Sequence, residues 1–556
     1  VVPIERASMP GRTVIQWDKE DCADMGLIKV DLLGLGMMAA LKESIELIPR
    51  HYGKQVDLAL LPEDPVVYET LCKADTVGMF QVESRAQMAS IPHNAPVRFY
   101  DLVVQVAIIR PGPIVGKMMH PYMRRRQGKE EVTYPHPLLE PVLKRTLGVP
   151  LFQEQLLRMA MTVASFTGAE AEELRRAVGM RRSMERMKDL EGRLRAGMTR
   201  NGVDAAAQDN IVQGISSFAM YGFPESHAAS FALIAYASAY LKVHFLAAFT
   251  CGLLNNQPMG FYSPAVLVKD AQRHGLRVRP IDVQRSEWLC TLEKEMDGSV
   301  SLRLGMNYAK GLRRSSAEAL IAARGAAGFK SVDDLTRRAP ELNRKELVAL
   351  AQIGALNTMG EVEHRRDALW QVEWAGRPVG PLLRGAEAGR GGMVPAGEAD
   401  TRGAGTAADR AATMPLKQMT TEERLAADYA GTGLTTGPHP MAYHREELRA
   451  EGIFSARELE ALRSGKYVRV AGCVIARQRP GTAKGFVFLS LEDETGIANV
   501  ILTPDVFERD RLVVTRNRFL RIEGPVQNQE GVIHVKAQRI VPLEVTRVEV
   551  RSRDFR

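Results

Sequence analysis

The feature that most limits how this chain can fold is a long segment without apolar periodicity. Residues 376–415 are rich in glycine, alanine, proline and arginine. Such a composition cannot bury enough apolar surface to form a core, so we expect a flexible linker. At 556 residues the chain is also too long for a single core. We therefore expect several domains, mainly helical before the linker and mainly β after it.

The part after the linker has the alternating pattern of β-strands bounded by glycine turns. The strand-like stretches are KYVRVAGCVIA (466–476), GFVFLSLEDET (485–495), IANVILTP (497–504), RFLRIEGPVQNQ (518–529) and GVIHVKAQRIV (531–541). A helical insert, PDVFERDRLVV, follows the third stretch. This order predicts an OB-fold β-barrel over residues 466–545, preceded by a helical connector at 416–465 and followed by a tail at 546–556.

Two units before the linker each place a glycine turn between helical patterns. They are residues 308–324 and 342–360, and we expect them to form a tandem helix-hairpin-helix domain over 263–375. Such hairpins present backbone N–H groups and a helix N-terminus to phosphates. One unit alone would be read as an ordinary connector, but two in tandem before an OB barrel favour DNA binding. The candidate DNA-binding residues are Lys310, Gly311, Arg313 and Arg314.

Net charge and cysteine spacing indicate the class of partner and the cellular compartment. The net charge of +8 favours a polyanionic partner, most often nucleic acid. The five cysteines form no C-x-x-C pair, which argues against a zinc site and a disulfide framework and predicts a reducing, cytoplasmic location. The longest apolar run, residues 231–249, contains Lys242 and His244, so we expect a buried helix and no membrane span.

The stretch GLIKVDLLGLG (26–36) places one carboxylate in an apolar setting. Its pattern predicts a buried strand that turns into a helix. Burying Asp31 is costly unless a cation, a metal or several hydrogen-bond donors meet it. On residues alone, a metal site and a buried Lys29–Asp31 salt bridge both remain open.

Two further stretches carry candidate binding residues. Arginines 175, 176, 181 and 182 cluster around a glycine, which suits phosphate binding as well as it suits a solvated helix face. The stretch YGFPESHAASFALIAY (221–236) projects Ser226 and His227 just before a buried helix. On residues alone, His227 is better read as a helix cap or a core residue than as a catalyst.

Together, six motifs in order point to a family: GLIKVDLLGLG, GMFQVESRAQM (78–88), IIRPGPI (108–114), GVPLFQEQLLRMA (148–160), LRRAVGMRR (174–182) and YGFPESHAASFALIAY. The chain resembles the bacterial C-family DNA polymerases of the polymerase III alpha-subunit type. LKVHFLAAFTCGLLNNQPMGFY (241–262) and the ending RSRDFR are similar to the error-prone, damage-inducible branch.

The resemblance implies a multidomain α+β fold with a partial palm (1–62) and mainly helical fingers (63–262) ahead of the hairpin and OB domains. It implies two-metal nucleotidyl transfer with Mg²⁺, acting on a DNA primer-template and dNTPs. Asp31 matches the family's third catalytic carboxylate and would bind metal, and Lys29 resembles the lysine that contacts the triphosphate. The same match assigns nucleotide binding in the fingers to Arg110, Arg175, Arg176, Ser226 and His227.

The sequence departs from the family in two respects. The P-D-x-D-x-D motif that carries the first two carboxylates occurs nowhere in the chain. We therefore expect the C-terminal part of a polymerase, inactive alone; the alternative is a non-catalytic DNA-binding subunit. The peptide PLKQMTTEE (415–423) lacks the paired hydrophobic anchors of a clamp-binding segment. We expect contact with the sliding clamp to be indirect, through accessory error-prone repair proteins.

Overall fold

The computed structural model describes residues 2–7, 13–17, 19–28, 32–109, 115–179, 184–219, 223–360, 362–375, 416–480, 483–529, 532–544 and 552–555. The predicted linker lies outside the described residues, and so do Lys29, Asp31 and Arg110. Arg176 lies on a described helix, but its side chain is outside the description.

The chain is mainly helical before residue 376 and mainly β after residue 466. Up to the linker, the helices are α1 (Lys19–Asp24), α2 (Leu35–Tyr52), α3 (Pro65–Cys72), α4 (Arg85–Asn94), α5 (Phe99–Ile108), α6 (Val115–Arg126), α7 (Glu140–Leu143), α8 (Gln153–Ala164), α9 (Gly168–Gly179), α10 (Met184–Arg200), α11 (Ala205–Ala219), α12 (Glu225–His244), α13 (Leu246–Asn255), α14 (Pro264–Arg273), α15 (Arg314–Arg324), α16 (Val332–Arg338), α17 (Arg344–Gln352) and α18 (Arg365–Trp374). After it come α19 (Thr421–Thr432), α20 (Arg445–Ala450) and α21 (Pro504–Arg516). The strands are β1 (Ile4–Arg6), β2 (Thr13–Ile15), β3 (Val278–Arg279), β4 (Thr291–Lys294), β5 (Val300–Arg303), β6 (Ile453–Phe454), β7 (Tyr467–Gln478), β8 (Val487–Glu492), β9 (Ile497–Leu502), β10 (Phe519–Gln529), β11 (Val532–Lys536), β12 (Arg539–Pro542) and β13 (Arg553–Phe555).

The N-terminal segment differs from its prediction. β1 and β2 form an exposed antiparallel pair, and the described flanks of the K-x-D stretch form no strand. Those flanks are not buried either, since Ile28 is 91% and Leu32 is 67% exposed. The expectation of a buried strand is therefore wrong at both flanks. The apolar side chains of Leu27, Ile28, Leu32 and Leu33 are exposed in the described structure, and α2 begins only at Leu35.

The central core is built from closely packed helices. Helix α2 lies against α13, where Gly252 permits the approach: an added Cβ would lie 2.5 Å from the carbonyl oxygen of Ala40. The apolar run 231–249 forms the end of α12 and the start of α13, because the backbone breaks at Phe245. None of the described helices combines the length and the apolar character that a membrane span requires.

A small sheet and two glycine turns follow. The predicted strand at 299–305 is β5, which pairs with β3 in parallel and with β4 in antiparallel fashion. Gly311 (φ +84°) forms the turn before α15, and Gly354 (φ +79°) the turn after α17. Both turns require the left-handed backbone that glycine adopts readily.

The C-terminal strands close into the expected barrel. The ladder runs β7–β8–β9–β11–β10 and closes by β10 pairing with β7, while β9 and β11 pair in parallel. Helix α21 lies between β9 and β10, where the insert was predicted. The interior is filled by the inward residues of these strands, among them Leu489, Val500 and Ile522. The prediction of an OB-fold is confirmed.

The connector joins the barrel to the helical part. β6 pairs in parallel with β7, and Arg445 at the start of α20 pairs with Asp493 and Glu494 in the turn after β8. From α14, Arg273 Nη1 contacts Glu492 Oε1 at 2.9 Å. The barrel is thus attached along β7 and at the end of β8.

Candidate functional site

The first turn of α12 is held against the start of α8. The backbone N–H of Gln153 donates to the carbonyl oxygen of Phe223 at 3.0 Å. The N–H of Glu225 donates to Oε2 of Glu154 at 2.9 Å, which satisfies one of the free donors at a helix start. These two contacts fix the turn that carries Ser226 and His227.

His227 is part of a line of aromatic rings. Its ring lies 5.0 Å from that of Phe223 and 4.1 Å from that of Phe231. Phe231 meets Phe80 edge to face at 5.3 Å. The Phe80 ring in turn packs on Gly34, where an added Cβ would lie 3.2 Å from its Cζ atom. The line therefore connects His227 to the turn that begins three residues after Asp31.

Charged groups surround the same helix start. Arg175 makes two hydrogen bonds to Glu172, of 2.9 and 2.6 Å, and Glu154 is near enough for its charge to act on Arg175. Arg145 lies over the Tyr100 ring at 3.8 Å and contacts Glu225 at 3.6 Å. Sequence analysis missed Arg145; its only signal was the basic pair Lys144–Arg145 before a glycine turn.

Tyr100 completes this charged group. Its hydroxyl donates to Oε1 of Glu225 at 2.8 Å, and burial together with that carboxylate raises the pKa of Tyr100. Ser226 is exposed, and its side chain is free to meet a ligand at the surface. Ser226 and His227 thus share the first turn of α12, and Arg175 is linked to that turn through Glu154. Lys29, Asp31 and Arg110 fall outside the described residues.

The residues predicted for the first hairpin have structural partners. The ammonium of Lys310 donates to the carbonyls of Tyr429 and Ala430 at the end of α19, at 3.0 and 2.9 Å. Arg313 pairs with buried Glu346 at 2.9 Å, where hydrogen bonds overcome the effect of burial and lower the pKa of Glu346 to about 2. Arg314 is 70% exposed, and among the described residues it pairs with Glu318, one helical turn away. Their roles in DNA binding stay predictions.

A cleft of about 1120 Å³ lies between the small sheet and the second hairpin. Its arginines are largely neutralised: Arg279 pairs with Glu295, Arg303 with Glu293, and Arg365 with Asp428. Arg285 and Lys294 are exposed cations on this wall for which the described residues show no acidic partner. The cleft is basic at its rim rather than throughout.

One group of acidic and histidine side chains has the spacing of a metal site. It consists of Asp75, Asp270 and His274. The ammonium of Lys242 lies 3.0 Å from Asp75 and 2.9 Å from Asp270, in the place a metal would take. Burial would lower the pKa of Lys242, but the two carboxylates outweigh it and raise the pKa. The cluster is an ion network and does not suit Mg²⁺.

Family models match most of the chain in succession. The models are the bacterial DNA polymerase III alpha NTPase domain at residues 1–34, the finger domain of the same subunit at 37–202, a helix-hairpin-helix motif at 275–368, and an OB-fold nucleic acid binding domain at 468–543. A finger domain followed by hairpin and OB modules defines a nucleic-acid-binding protein of the polymerase III alpha type.

Curated relatives match over the whole chain. An error-prone DNA polymerase of Anaeromyxobacter dehalogenans (strain 2CP-C) is 48% identical, with 100% of this chain and 48% of the relative covered. One of Pseudomonas syringae pv. syringae (strain B728a) is 46% identical, with 52% of the relative covered. Error-prone DNA polymerase 2 of Rhizobium meliloti (strain 1021) is 44% identical, with 50% covered.

The chain belongs to the bacterial C-family DNA polymerases, in their error-prone branch, and spans about half the length of the curated relatives it matches. Among solved structures, asparaginyl-tRNA synthetase from Pyrococcus horikoshii is 25% identical over 17% of this chain and 23% of its own, with a TM-score of 0.15.

Proposed function

We propose that this chain provides the nucleotide-binding and template-binding half of a template-directed DNA polymerase for error-prone, translesion synthesis. Its substrates would be a DNA primer-template and dNTPs. The observation that carries the proposal is the first turn of α12, which holds Ser226 and His227 and is joined by aromatic rings to the turn after Asp31. Arg175 is linked to this turn through Glu154.

The chain's own residues would act on the incoming nucleotide by charge and position. A helix N-terminus and guanidinium groups both favour a triphosphate. Arg145 is 64% exposed and contacts Glu225, the residue before Ser226, so its cation can turn toward an anionic ligand. Lys29 and Arg110 are proposed to contact the nucleotide from the palm and the fingers, and Arg176 from α9. His227 would position the first turn through its ring contacts.

Mg²⁺ is the metal that the family implies, and the donor set of this chain does not suit a pair of ions. Mg²⁺ requires near-octahedral oxygen coordination, and a two-metal site needs bridging carboxylates. Asp31 is the one carboxylate that matches the family's set, and the chain has no P-D-x-D-x-D motif. We therefore propose that the chain alone binds DNA without extending primers.

Primer extension tests this proposal. The purified chain, with Mg²⁺, dNTPs and a labelled primer-template, should leave the primer unextended while shifting it in a binding assay. Asp31→Asn should bind DNA as the unchanged chain does. Metal-dependent extension that disappears with Asp31→Asn would contradict the proposal, because it would show a complete metal site in this chain.

A non-catalytic DNA-binding subunit is the second candidate. The lone matching carboxylate favours it, since the hairpin and OB modules could bind DNA without any chemistry. Encoded carboxylates of the P-D-x-D-x-D type in the same reading frame upstream would favour the polymerase. If no such segment is encoded or supplied by a partner, the binding subunit is the better description.

We also propose that the sliding clamp is reached through accessory error-prone repair proteins. The peptide PLKQMTTEE (415–423) lacks the paired hydrophobic anchors of a clamp-binding segment. A pull-down of the purified chain with clamp alone should recover little clamp. Tight, stoichiometric recovery would contradict this proposal.

A further inference from the structure

Arg85 extends from the start of α4 onto the surface of the barrel. Its Nη1 donates to the carbonyl oxygen of Leu489 on β8 at 2.9 Å and to that of Val500 on β9 at 3.1 Å. Leu489 and Val500 are directly paired across the two strands. The guanidinium also lies 5.0 Å from the ring centre of Phe488. One side chain from the helical part is therefore bound across β8 and β9.

This cation is buried without a counter-ion. In the described part of the chain no carboxylate pairs with Arg85, and its buried Nη2 atom has no hydrogen-bond partner. Nearby His534 on β11 also has a buried ring nitrogen, Nδ1, without a partner. Burial lowers the pKa of Arg85 to about 9, and burial with the Arg85 charge lowers the pKa of His534 to about 4. A charged guanidinium thus faces a neutral imidazole at neutral pH.

An unsatisfied buried cation is an unfavourable arrangement that release of the guanidinium to solvent would relieve. Leaving a charged group buried without a full set of partners costs free energy. The carbonyls of Leu489 and Val500 meet only one of the two terminal nitrogens of Arg85. The contact holds the barrel in place through one terminal nitrogen of Arg85. Because it is incomplete, a ligand that binds the same face can replace it.

The position of the contact indicates what would replace it. β8 and β9 are the second and third strands of the barrel, and OB-folds bind oligonucleotides on the face of those strands. Leu489 points into the barrel, whereas Phe488 points outward beneath the guanidinium. Single-strand sites combine an aromatic ring for base stacking with cations for phosphates. Arg85 covers the ring on which a base would stack.

We propose that Arg85 is a latch on the single-strand-binding face of the barrel, and that single-stranded DNA displaces it. The occupant is an anionic strand because cations flank the face: Lys536 on β11 is exposed, and Arg479, just after β7, is 46% exposed and pairs with the exposed Glu508. The other attachments lie along β7 and at the end of β8, so the face can open while the barrel stays attached. The latch rests on the DNA binding proposed above.

Equilibrium binding of the full chain to fluorescein-labelled oligo(dT), followed by anisotropy, tests the latch. Arg85→Gln removes the charged donor from the closed state and should bind oligo(dT) about tenfold more tightly, the effect of one charge-assisted hydrogen bond. Lys73→Gln removes one exposed charge just after α3, where the described residues show no contact with the barrel, and is the matched control. It should bind as the unchanged chain does.

Equal or weaker binding by Arg85→Gln, relative to Lys73→Gln, would overturn the latch. Hydrogen exchange of the unchanged chain provides a measurement that needs no substitution. Oligo(dT) should slow exchange in residues 487–502, because the DNA covers that face of the barrel. It should speed exchange in residues 85–94, because α4 loses its contact with the barrel. Slower exchange in both segments would overturn the latch, since Arg85 would then grip the strand.

The two proposals fail in different ways. A chain that binds a primer-template but shows no effect of Arg85→Gln on oligo(dT) overturns the latch alone. A chain that binds neither DNA overturns the proposed function together with the latch. Circular dichroism and thermal unfolding of each variant show that the comparison is between folded proteins.

Discussion

At the scale of single residues, Gly34 connects the palm-like segment to the fingers-like helices. It has a φ of +92° and precedes α2, and the Phe80 ring fills the space where a side chain would be. Glycine is needed here both for the left-handed backbone and for the close contact. The position of the turn after Asp31 therefore depends on a residue that carries no functional group.

Replacing Gly34 by alanine should destabilise the protein. The strained φ and the clash with Phe80 together should cost about 1–3 kcal/mol in the free energy of unfolding. Chemical unfolding followed by circular dichroism measures the change. Gly192→Ala is the matched control, because Gly192 is exposed in α10 with nothing near it; alanine there should raise stability by up to about 1 kcal/mol. Equal effects of both substitutions would contradict this role of Gly34.

A second residue-scale prediction concerns pH. Burial would raise the pKa of Asp75, but the hydrogen bond from His274 and the charge of Lys242 leave it well below its usual range. The same hydrogen bond raises the pKa of His274. The depressed Asp75 stabilises the fold above its unfolded pKa of about 4 and loses that contribution in acid. The raised His274 contributes below about pH 6.5 and loses its contribution as pH rises through its folded pKa.

His274→Gln should therefore reduce the loss of stability that accompanies a rise in pH. The unchanged chain should lose more free energy of unfolding between pH 5.5 and pH 8.5 than the variant does. Urea unfolding at both pH values measures the two differences, and the remaining histidines contribute alike to both proteins. An identical pH dependence would show that His274 does not act through Asp75.

At the scale of elements, the basic residues of the hairpin domain have different partners. Lys310 binds the carbonyl end of α19, which is stabilised at its other end by a capping box between Thr420 and Glu423. Arg314 instead projects from the first turn of α15 into solvent. The element arrangement therefore separates a residue that holds the connector from one that can reach a phosphate.

Two substitutions should distinguish these roles. Lys310→Met should lower stability by about 1 kcal/mol through the lost hydrogen bonds to α19. Arg314→Met should leave stability unchanged, weaken duplex binding and reduce the dependence of log K on log salt by about one. Anisotropy across a salt series and thermal unfolding measure both, with Lys73→Met as a charge-matched control. The opposite pattern would assign DNA contact to Lys310.

Much of the element order follows from sequence patterns, and the exceptions have physical causes. The alternating strands of the barrel and the capped helix α19 are set by local residues, so they were predictable. The ion network around Lys242 joins residues from three distant elements, and the latch joins α4 to β8 and β9. Contacts of that kind depend on tertiary packing, which no single stretch of sequence encodes.

At the scale of the whole molecule, the N-terminal segment presents an unusually apolar surface. Its exposed large apolar residues are Ile4, Val14, Ile15, Met25, Leu27, Ile28, Leu32, Leu33, Leu35 and Met38. Exposed apolar patches of this kind mark interaction surfaces. The segment matches the NTPase-domain model, and the curated relatives are about twice as long as this chain. We expect further palm residues to cover this surface in a complete polymerase.

The sequence motifs predicted only part of the candidate site. The family motifs indicated Ser226 and His227, which share the first turn of α12, and Arg175, which is linked to that turn through Glu154. Arg145 had no distinctive motif and emerged only from its contacts with Tyr100 and Glu225. The roles of Asp31 and Lys29 stay predictions, because their partners would come from carboxylates that this chain does not contain in the family's spacing.

The measurement that tests the account most directly is primer extension by a chimeric polymerase. Residues 1–556 would replace the matching half of the Anaeromyxobacter dehalogenans relative, which is 48% identical over the whole chain. The account predicts Mg²⁺-dependent extension that Asp31→Asn abolishes while DNA binding remains. A folded, DNA-binding chimera that extends no primer, or one that extends equally with Asp31→Asn, would contradict it.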